Sequence, residues 1–383
     1  MSITVPAGFA AAGVAAGLKS SGRPDLALVV NSGPAFTAAA VFTSNRIKAA
    51  PVLWSQQVLT DGSLRAVILN SGGANACTGP DGFADTHRTA ELVAAGLGIG
   101  AIDVAVCSTG LIGVRLPMGK IAAGISSLVS AVSPEGGPDA ATAIMTTDSV
   151  PKEALVTGQG WSIGGMAKGA GMLAPGLATM LVVVTTDAVV GPEVVRSQLA
   201  EACRTTFDRL DSDGCMSTND TVILMSSGAS GVAPDPEVFT RKLTDVCGDL
   251  AHQLLADAEG ASHEIAITVT GAASEEDAVT VGRSIARSNL FKCAVFGADP
   301  NWGRVLAALG TTSAAFEPDG VDVSFNGVQV CRGGSIGDPR ELVDLSPREV
   351  SVGVDLHAGP HTATIVTNDL TYDYVKENAE YAT

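Results

Sequence analysis

Short apolar runs recur along the chain, and most of them stop at small polar residues. Examples are 27-ALVVNSG-33, 65-RAVILNSGG-73, 103-DVAVCSTG-110, 180-MLVVVTTD-187 and 221-TVILMSSG-228. Apolar runs of this length, bounded by Ser, Thr, Asn and Gly, predict buried strands ending in turns. Helical patterns lie between them. Residues 192-PEVVRSQLAEACRTTFDRL-210 open on Pro192, a favoured first helical position, and Val195, Leu199, Cys203, Phe207 and Leu210 recur at helical spacing. Residues 236–260 behave alike, and Ser274 before 275-EED-277 predicts the cap of a third helix ending near Ser288. Further on the pattern turns to alternation. In 321-VDVSFNGVQVC-331 the pair Asn326–Gly327 predicts a hairpin, and residues 350–369 read as a second one. The fold class expected is α/β or α+β with mixed sheets. The turn-rich 131-AVSPEGGP-138 is a candidate surface loop and a mild candidate for a domain boundary.

Composition narrows this picture. A chain of 383 residues makes two domains or one large one, and 46% hydrophobic residues suffice for a sizeable core. With 4% aromatics, that core must be built from Ala, Val, Leu and Ile. A net charge of −17 argues against nucleic acid and anionic membranes as partners. Cys77, Cys107, Cys203, Cys215, Cys247, Cys293 and Cys331 form no CxxC pair, which argues against a disulfide scaffold or a zinc site and for a reducing compartment. The first basic residue is Lys19, and Pro6 and several glycines interrupt the stretch before it. No signal peptide or membrane span is expected, and the expected location is the cytoplasm.

The sequence is poor in familiar catalytic motifs. His87, His252, His263, His357 and His361 sit in no nucleophile elbow, and nothing points to a Ser-His-Asp triad. There is no phosphate-binding GxxxxGK[ST] loop, HExxH or EF-hand loop, so no metal or cofactor is expected. The piece 169-GAGMLAPG-176 precedes a strand rather than opening a helix, unlike a dinucleotide fingerprint. Acyl chemistry without histidine needs another base. A nucleophilic Thr whose own α-amine is the base is one solution, because a free α-amine ordinarily titrates at about 7.7–8.0, against about 10.4 for a lysine side chain. Within 166-MAKGAGMLAPGLATMLVVVTTD-187, Thr179 becomes such a residue if the Ala178–Thr179 bond breaks. Read locally, the same stretch is a glycine-rich loop feeding a buried strand.

Seven ordered pieces decide between these readings: 70-NSGGANACTG-79, 107-CSTGLIG-113, 144-IMTTD-148, 165-GMAKGAGMLAP-175, 177-LATML-181, 217-STND-220 and 298-ADPNWGR-304. Together they resemble the ornithine acetyltransferase family over nearly the whole chain. The resemblance implies layered mixed sheets flanked by helices in a self-processing fold. It implies self-cleavage at Ala178–Thr179 into an α chain of residues 1–178 and a β chain of residues 179–383. It implies Thr179 as nucleophile, Thr109 and Gly110 as oxyanion hole, and Thr146, Lys168, Glu259, Asn378 and Thr383 as substrate-binding residues beside Thr179. N-acetylornithine and glutamate are the implied substrates, acetyl-CoA is a possible further donor, and two α and two β chains are the implied assembly. Taken singly, 108-STG-110 is a turn, Lys168 an exposed loop lysine, Glu259 a carboxylate at a helix C-terminus, and 377-ENAEYAT-383 a fraying tail. Use of acetyl-CoA, an antibiotic-pathway homologue with another acceptor, a self-cleaving aminopeptidase and a non-enzymatic amino-acid-binding module stay open at this point.

Overall fold

The computed structural model describes residues 3–172 and 180–380. They form two compact units. The first holds the described chain up to Asp208 and Cys215–Asp257, and the second holds Arg209–Gly214 and residues 258–380.

Two sheets make the centre of the first unit. One joins β1 (Phe9–Val14), β2 (Leu26–Asn31), β4 (Ala66–Asn70) and β5 (Val104–Ser108) in that order, with β4 and β5 parallel. The other has β3 (Thr37–Phe42), β6 (Lys152–Thr157), β7 (Ser162–Lys168), β8 (Leu181–Thr186) and β9 (Thr221–Ser226) in the order β3-β9-β8-β7-β6, with β8 and β9 parallel. Leu28, Ile68 and Val106 of the first sheet share one apolar cluster with Met166, Val183 and Ile223 of the second. Helices α1 (Ala50–Val58), α2 (Gly79–Leu97), α3 (Met118–Ala131) and α4 (Gly137–Ala143) pack on the first sheet. Helices α5 (Pro192–Thr205) and α6 (Pro236–Ala256) pack on the second. The five apolar runs fall on β2, β4, β5, β8 and β9, wholly or nearly wholly buried as their composition predicts.

The second unit carries one sheet of β10 (Glu264–Ala272), β11 (Asp322–Phe325), β12 (Val328–Arg332), β13 (Ser335–Ile336), β14 (Glu349–Asp355) and β15 (His361–Asn368), in the order β13-β12-β11-β14-β10-β15. Its helices are α7 (Glu275–Ala286), α8 (Asn289–Phe296), α9 (Trp302–Leu309) and α10 (Tyr372–Glu380). Ser274 caps α7, its hydroxyl accepting the Asp277 N–H at 3.1 Å. The expected class therefore holds: α/β in the α+β sense, with layered mixed sheets flanked by helices.

Four local expectations change. α5 stops at Thr205, and Phe207 and Leu210 are buried outside it. The hydroxyls of Thr205 and Thr206 bond back to the carbonyls of Glu201 and Ala202, at 3.1 and 2.6 Å, as the helix ends. α6 stops at Ala256, because Asp257 turns away to accept from Lys152 Nζ at 2.6 Å. The hairpin at Asn326–Gly327 forms, with both residues at positive φ, but residues 350–369 do not form a second one. β10 lies between β14 and β15, parallel to the first and antiparallel to the second. The connection arches over the end of β10, where the Ala358 and Gly359 N–H groups donate to Gly271 O at 2.6 and 2.9 Å. Finally, 131–138 is no boundary: it is a short loop, residues 132–136, between the ends of α3 and α4. Ser133 exchanges two backbone bonds with Ala11 of β1, and both residues belong to the first unit.

Candidate active site

Parallel pairing brings the ends of β4 and β5 together, and the polar residues that stop those runs meet there. Asn70 Nδ2 donates to Ser108 Oγ at 2.6 Å, and the Thr109 N–H to Asn70 O at 2.9 Å. The Gly73 N–H donates to Thr109 O at 3.0 Å. From just before β9 of the other sheet, Asn219 Nδ2 donates to both Ala74 O (2.6 Å) and Ser108 O (2.8 Å). Gly110 has φ +130°, and a Cβ there would lie 2.8 Å from Gly73 N, so only glycine fits. Among the described residues, no acceptor takes the Gly110 N–H.

Lys168 is the last residue of β7 and is 2% exposed, not a solvated loop lysine. The strand is hard to see in sequence because it contains Gly164 and Gly165. The second glycine makes room for α6, since a Cβ would meet Leu250 Cδ1 at 2.8 Å. Lys168 Nζ donates to Thr109 Oγ1 at 3.3 Å. A hydroxyl that accepts from an ammonium keeps its own O–H to donate.

Asp148 organises the opposite side. It accepts from Lys152 Nζ (2.7 Å), the Gly169 N–H (2.6 Å) and the Thr146 N–H (2.8 Å). Burial favours its neutral form, but the charges of Lys168 and Lys152, with the bonds from Lys152 and Thr146, outweigh burial and hold the carboxyl at about 2. Lys19 lies beside this group, donating to Met145 O at 2.6 Å, while Arg23 Nη2 donates to Thr146 O at 3.3 Å. Burial first, then the charge of Arg23, pulls the Lys19 ammonium down to about 8.

Ala178 and Thr179 lie outside the described residues, but Met180 does not. Its N–H donates to Asp220 Oδ1 at 3.0 Å, and its carbonyl accepts from the Thr221 N–H at 3.2 Å. Leu181 then pairs with Lys168 across the sheet. The start of β8 is thus held beside the lysine that touches Thr109.

Glu259 and Asn378 belong to the second unit. Asn378 Nδ2 donates to Glu259 Oε2 at 3.1 Å, so two predicted substrate residues meet. Thr383 lies outside the described residues. Residues 372–380 are helical rather than frayed, and the segment is tied back by the Thr371 hydroxyl, which donates to Gly260 O at 2.6 Å and accepts the Tyr374 N–H at 3.0 Å. Glu259 lies beyond the end of α6, so an opposing helix dipole is not its setting.

Two alternative nucleophiles fail on geometry. Ser262, His263 and Asp369 cluster, yet His263 Nδ1 engages Asp369 at 2.7 Å and Nε2 engages the Leu345 carbonyl at 3.0 Å. A carbonyl only accepts, so Nε2 carries a proton and cannot act as a base. Cys107, next to Ser108, is buried, which pushes its thiol up to about 12.

Sequence reasoning assigned no role to Lys19, Asp148, Lys152 or Asp220. Two of them, Asp148 and Asp220, stood inside stretches already singled out, 144-IMTTD-148 and 217-STND-220. For Asp220 the available signal was its place directly before the apolar run 221-TVILM-225.

Residues 10–383 match the ArgJ family. The chain is 63% identical over 382 residues to the arginine biosynthesis bifunctional protein ArgJ of Streptomyces coelicolor, covering 100% of both chains. It is 63% identical over 383 residues to the protein of the same name from Thermobifida fusca, again covering 100% of both. The solved structure of ornithine acetyltransferase from Mycobacterium tuberculosis, complexed with ornithine, is 63% identical over 47% of this chain and 96% of that one, with a TM-score of 0.45. Matched along its length by family and by full-length relatives, the chain belongs to the ArgJ family, the bifunctional acetyltransferases of arginine biosynthesis.

Proposed function

We propose that this acetyltransferase moves the acetyl group of N2-acetyl-L-ornithine to L-glutamate through an acetyl ester on Thr179. The precursor first cuts itself. Thr179 Oγ attacks the Ala178 carbonyl, the C–N bond breaks to give an ester and a free Thr179 α-amine, and water then hydrolyses the ester to the Ala178 carboxylate and the Thr179 hydroxyl. That amine then takes the hydroxyl proton as Oγ attacks the acetyl carbonyl, and returns it to the departing ornithine amine. Glutamate enters, its amine attacks the ester, and N-acetylglutamate leaves. The Gly110 N–H and the Thr109 hydroxyl stabilise the oxyanion. Lys168 and Thr146 hold the substrate α-carboxylate end, while Glu259, Asn378 and Thr383 complete substrate binding. The route calls on no cofactor, and acetyl-CoA serves as a second acetyl donor. No described helix is long and apolar enough to cross a membrane, and the proposed place of work is the cytoplasm.

The observation that carries this reading is the meeting of Lys168 with Thr109 at 3.3 Å beside the strand that begins two residues after Thr179. The order β9-β8-β7 also bears on processing. A cut before Thr179 leaves β7 on the α chain and β8 on the β chain, hydrogen-bonded side by side along Ile163–Lys168 and Leu181–Thr186. Such chains stay together after cleavage, and the proposed assembly has two of each. The intact mass of denatured protein, paired with an acetylornithine–glutamate transfer assay, tests the proposal. Two fragments split at 178/179 with transfer activity are expected. An uncleaved chain with full transfer activity, or a cleaved one that hydrolyses peptides without transferring acetyl groups, would overturn it.

A further inference from the structure

We propose that Asp220 is a positioning residue for Thr179, fixing the nucleophile by holding the N–H of the peptide bond that directly follows it. The inference rests on the reading of Thr179 given above. Asp220 is fully buried, and its Oδ1 accepts the Met180 N–H at 3.0 Å. The Thr221 N–H takes the Met180 carbonyl at 3.2 Å, so the neighbouring residue is clasped on both sides of its Cα. The clasp is itself anchored. Asn219, one residue before Asp220, donates to Ala74 O and Ser108 O, the backbone that presents Thr109 and Gly110. A short chain of hydrogen bonds therefore fixes the start of β8 relative to the oxyanion donors. Catalysis by positioned groups is sensitive to shifts of about 1 Å, so such a frame has kinetic weight.

The second carboxyl oxygen supports the assignment. Asp220 Oδ2 is buried without a hydrogen-bond partner among the described residues. Burial pushes this carboxyl well above the usual carboxylate range, and the Met180 N–H, the Lys168 charge and the Ser217 N–H and hydroxyl offset that only in part.

The test compares Asp220→Ala, Asp220→Asn and Thr179→Ala in the full chain, reading self-cleavage by intact mass, kcat and KM on the cleaved fraction, and the melting temperature. Asp220→Ala should slow cleavage and lower kcat roughly tenfold or more, with KM for acetylornithine changed by less than about threefold, as expected for a lost buried hydrogen bond. Asp220→Asn keeps a carbonyl acceptor and should recover most of kcat. Wild-type kcat and cleavage in Asp220→Ala overturn the proposal, as does an Asp220→Asn protein that melts normally but is as slow as the alanine variant. If Asp220→Ala does not fold, Asp220→Asn decides alone, with near wild-type kcat in support and a tenfold loss against. A Thr179→Ala protein that still transfers acetyl groups sinks the nucleophile reading itself. An inactive Thr179→Ala beside a fully active Asp220→Ala removes only the role of Asp220.

Discussion

Lys168 Nζ stands 3.3 Å from Thr109 Oγ1, joining the end of one sheet to the end of the other through two buried side chains. The strands concerned, β7 and β5, are far apart in sequence and belong to different sheets. A cation here orients a hydroxyl donor and meets the shared α-carboxylate of the proposed substrates at short range. Short-range pairing in a partly dry site outweighs the long-range field of an acidic protein.

Lys168→Met keeps much of the stem and removes the charge. It should raise KM for acetylornithine and for glutamate and lower kcat/KM by about ten- to a hundredfold. Self-cleavage should suffer less, since the precursor has no substrate carboxylate to hold. Steady-state kinetics and intact mass from one preparation check both statements. A variant that cleaves fully and turns over both substrates like wild type would return Lys168 to a purely structural role.

Asp148 predicts an acid limb in stability. Its carboxyl is held at about 2 in the fold against an ordinary 3.8. Because the folded value is the lower one, the stabilisation is complete above about pH 4 and is lost as pH falls through about 2. The shift corresponds to roughly 2 kcal/mol, at about 1.4 kcal/mol per unit. Asp148→Asn should lose that part of the pH dependence in denaturant titrations between pH 4 and 2. At neutral pH it should cost less than the about 3–5 kcal/mol of a fully broken buried pair, because Lys152 keeps Asp257 as its remaining ion-pair partner. An unchanged acid slope would show that another carboxylate carries the effect.

Gly110→Ala places a Cβ 2.8 Å from Gly73 N, backbone against backbone, at a φ of +130°. The loop must shift, and with it the proposed oxyanion N–H. The expected outcome is a loss in kcat of about a hundredfold or more, the scale of a lost oxyanion donor. Self-cleavage, which passes through a similar oxyanion, should slow as well. Wild-type rates for both steps would place the oxyanion donor elsewhere.

Deleting 378–383 removes the Asn378–Glu259 bond and the last turn of a helix that buries no residue. Transfer should fall while the melting temperature moves by only a few degrees, since little apolar surface is exposed. Unchanged kinetics in the truncated protein would count against a role for the tail. A large drop in melting temperature would make the tail structural.

Local physics made much of this protein legible. Five apolar runs became buried strands because their composition leaves them no other place, and Asn326–Gly327 turned a hairpin because both residues tolerate positive φ. Ordered motifs pointed to the family, and hence to Thr109, Gly110, Lys168 and Thr179. Tertiary structure decided what spacing cannot encode. β10 inserted between β14 and β15, because strand partners are chosen by the whole sheet and not by the nearest neighbour in sequence. Asp257 left the α6 pattern to meet a buried lysine, an interaction whose partner lies 105 residues away. Asp148 and Asp220 gained their roles in the same way: a carboxylate's work depends on which N–H groups and ammonium groups surround it, and only the assembled fold brings those groups within hydrogen-bond reach.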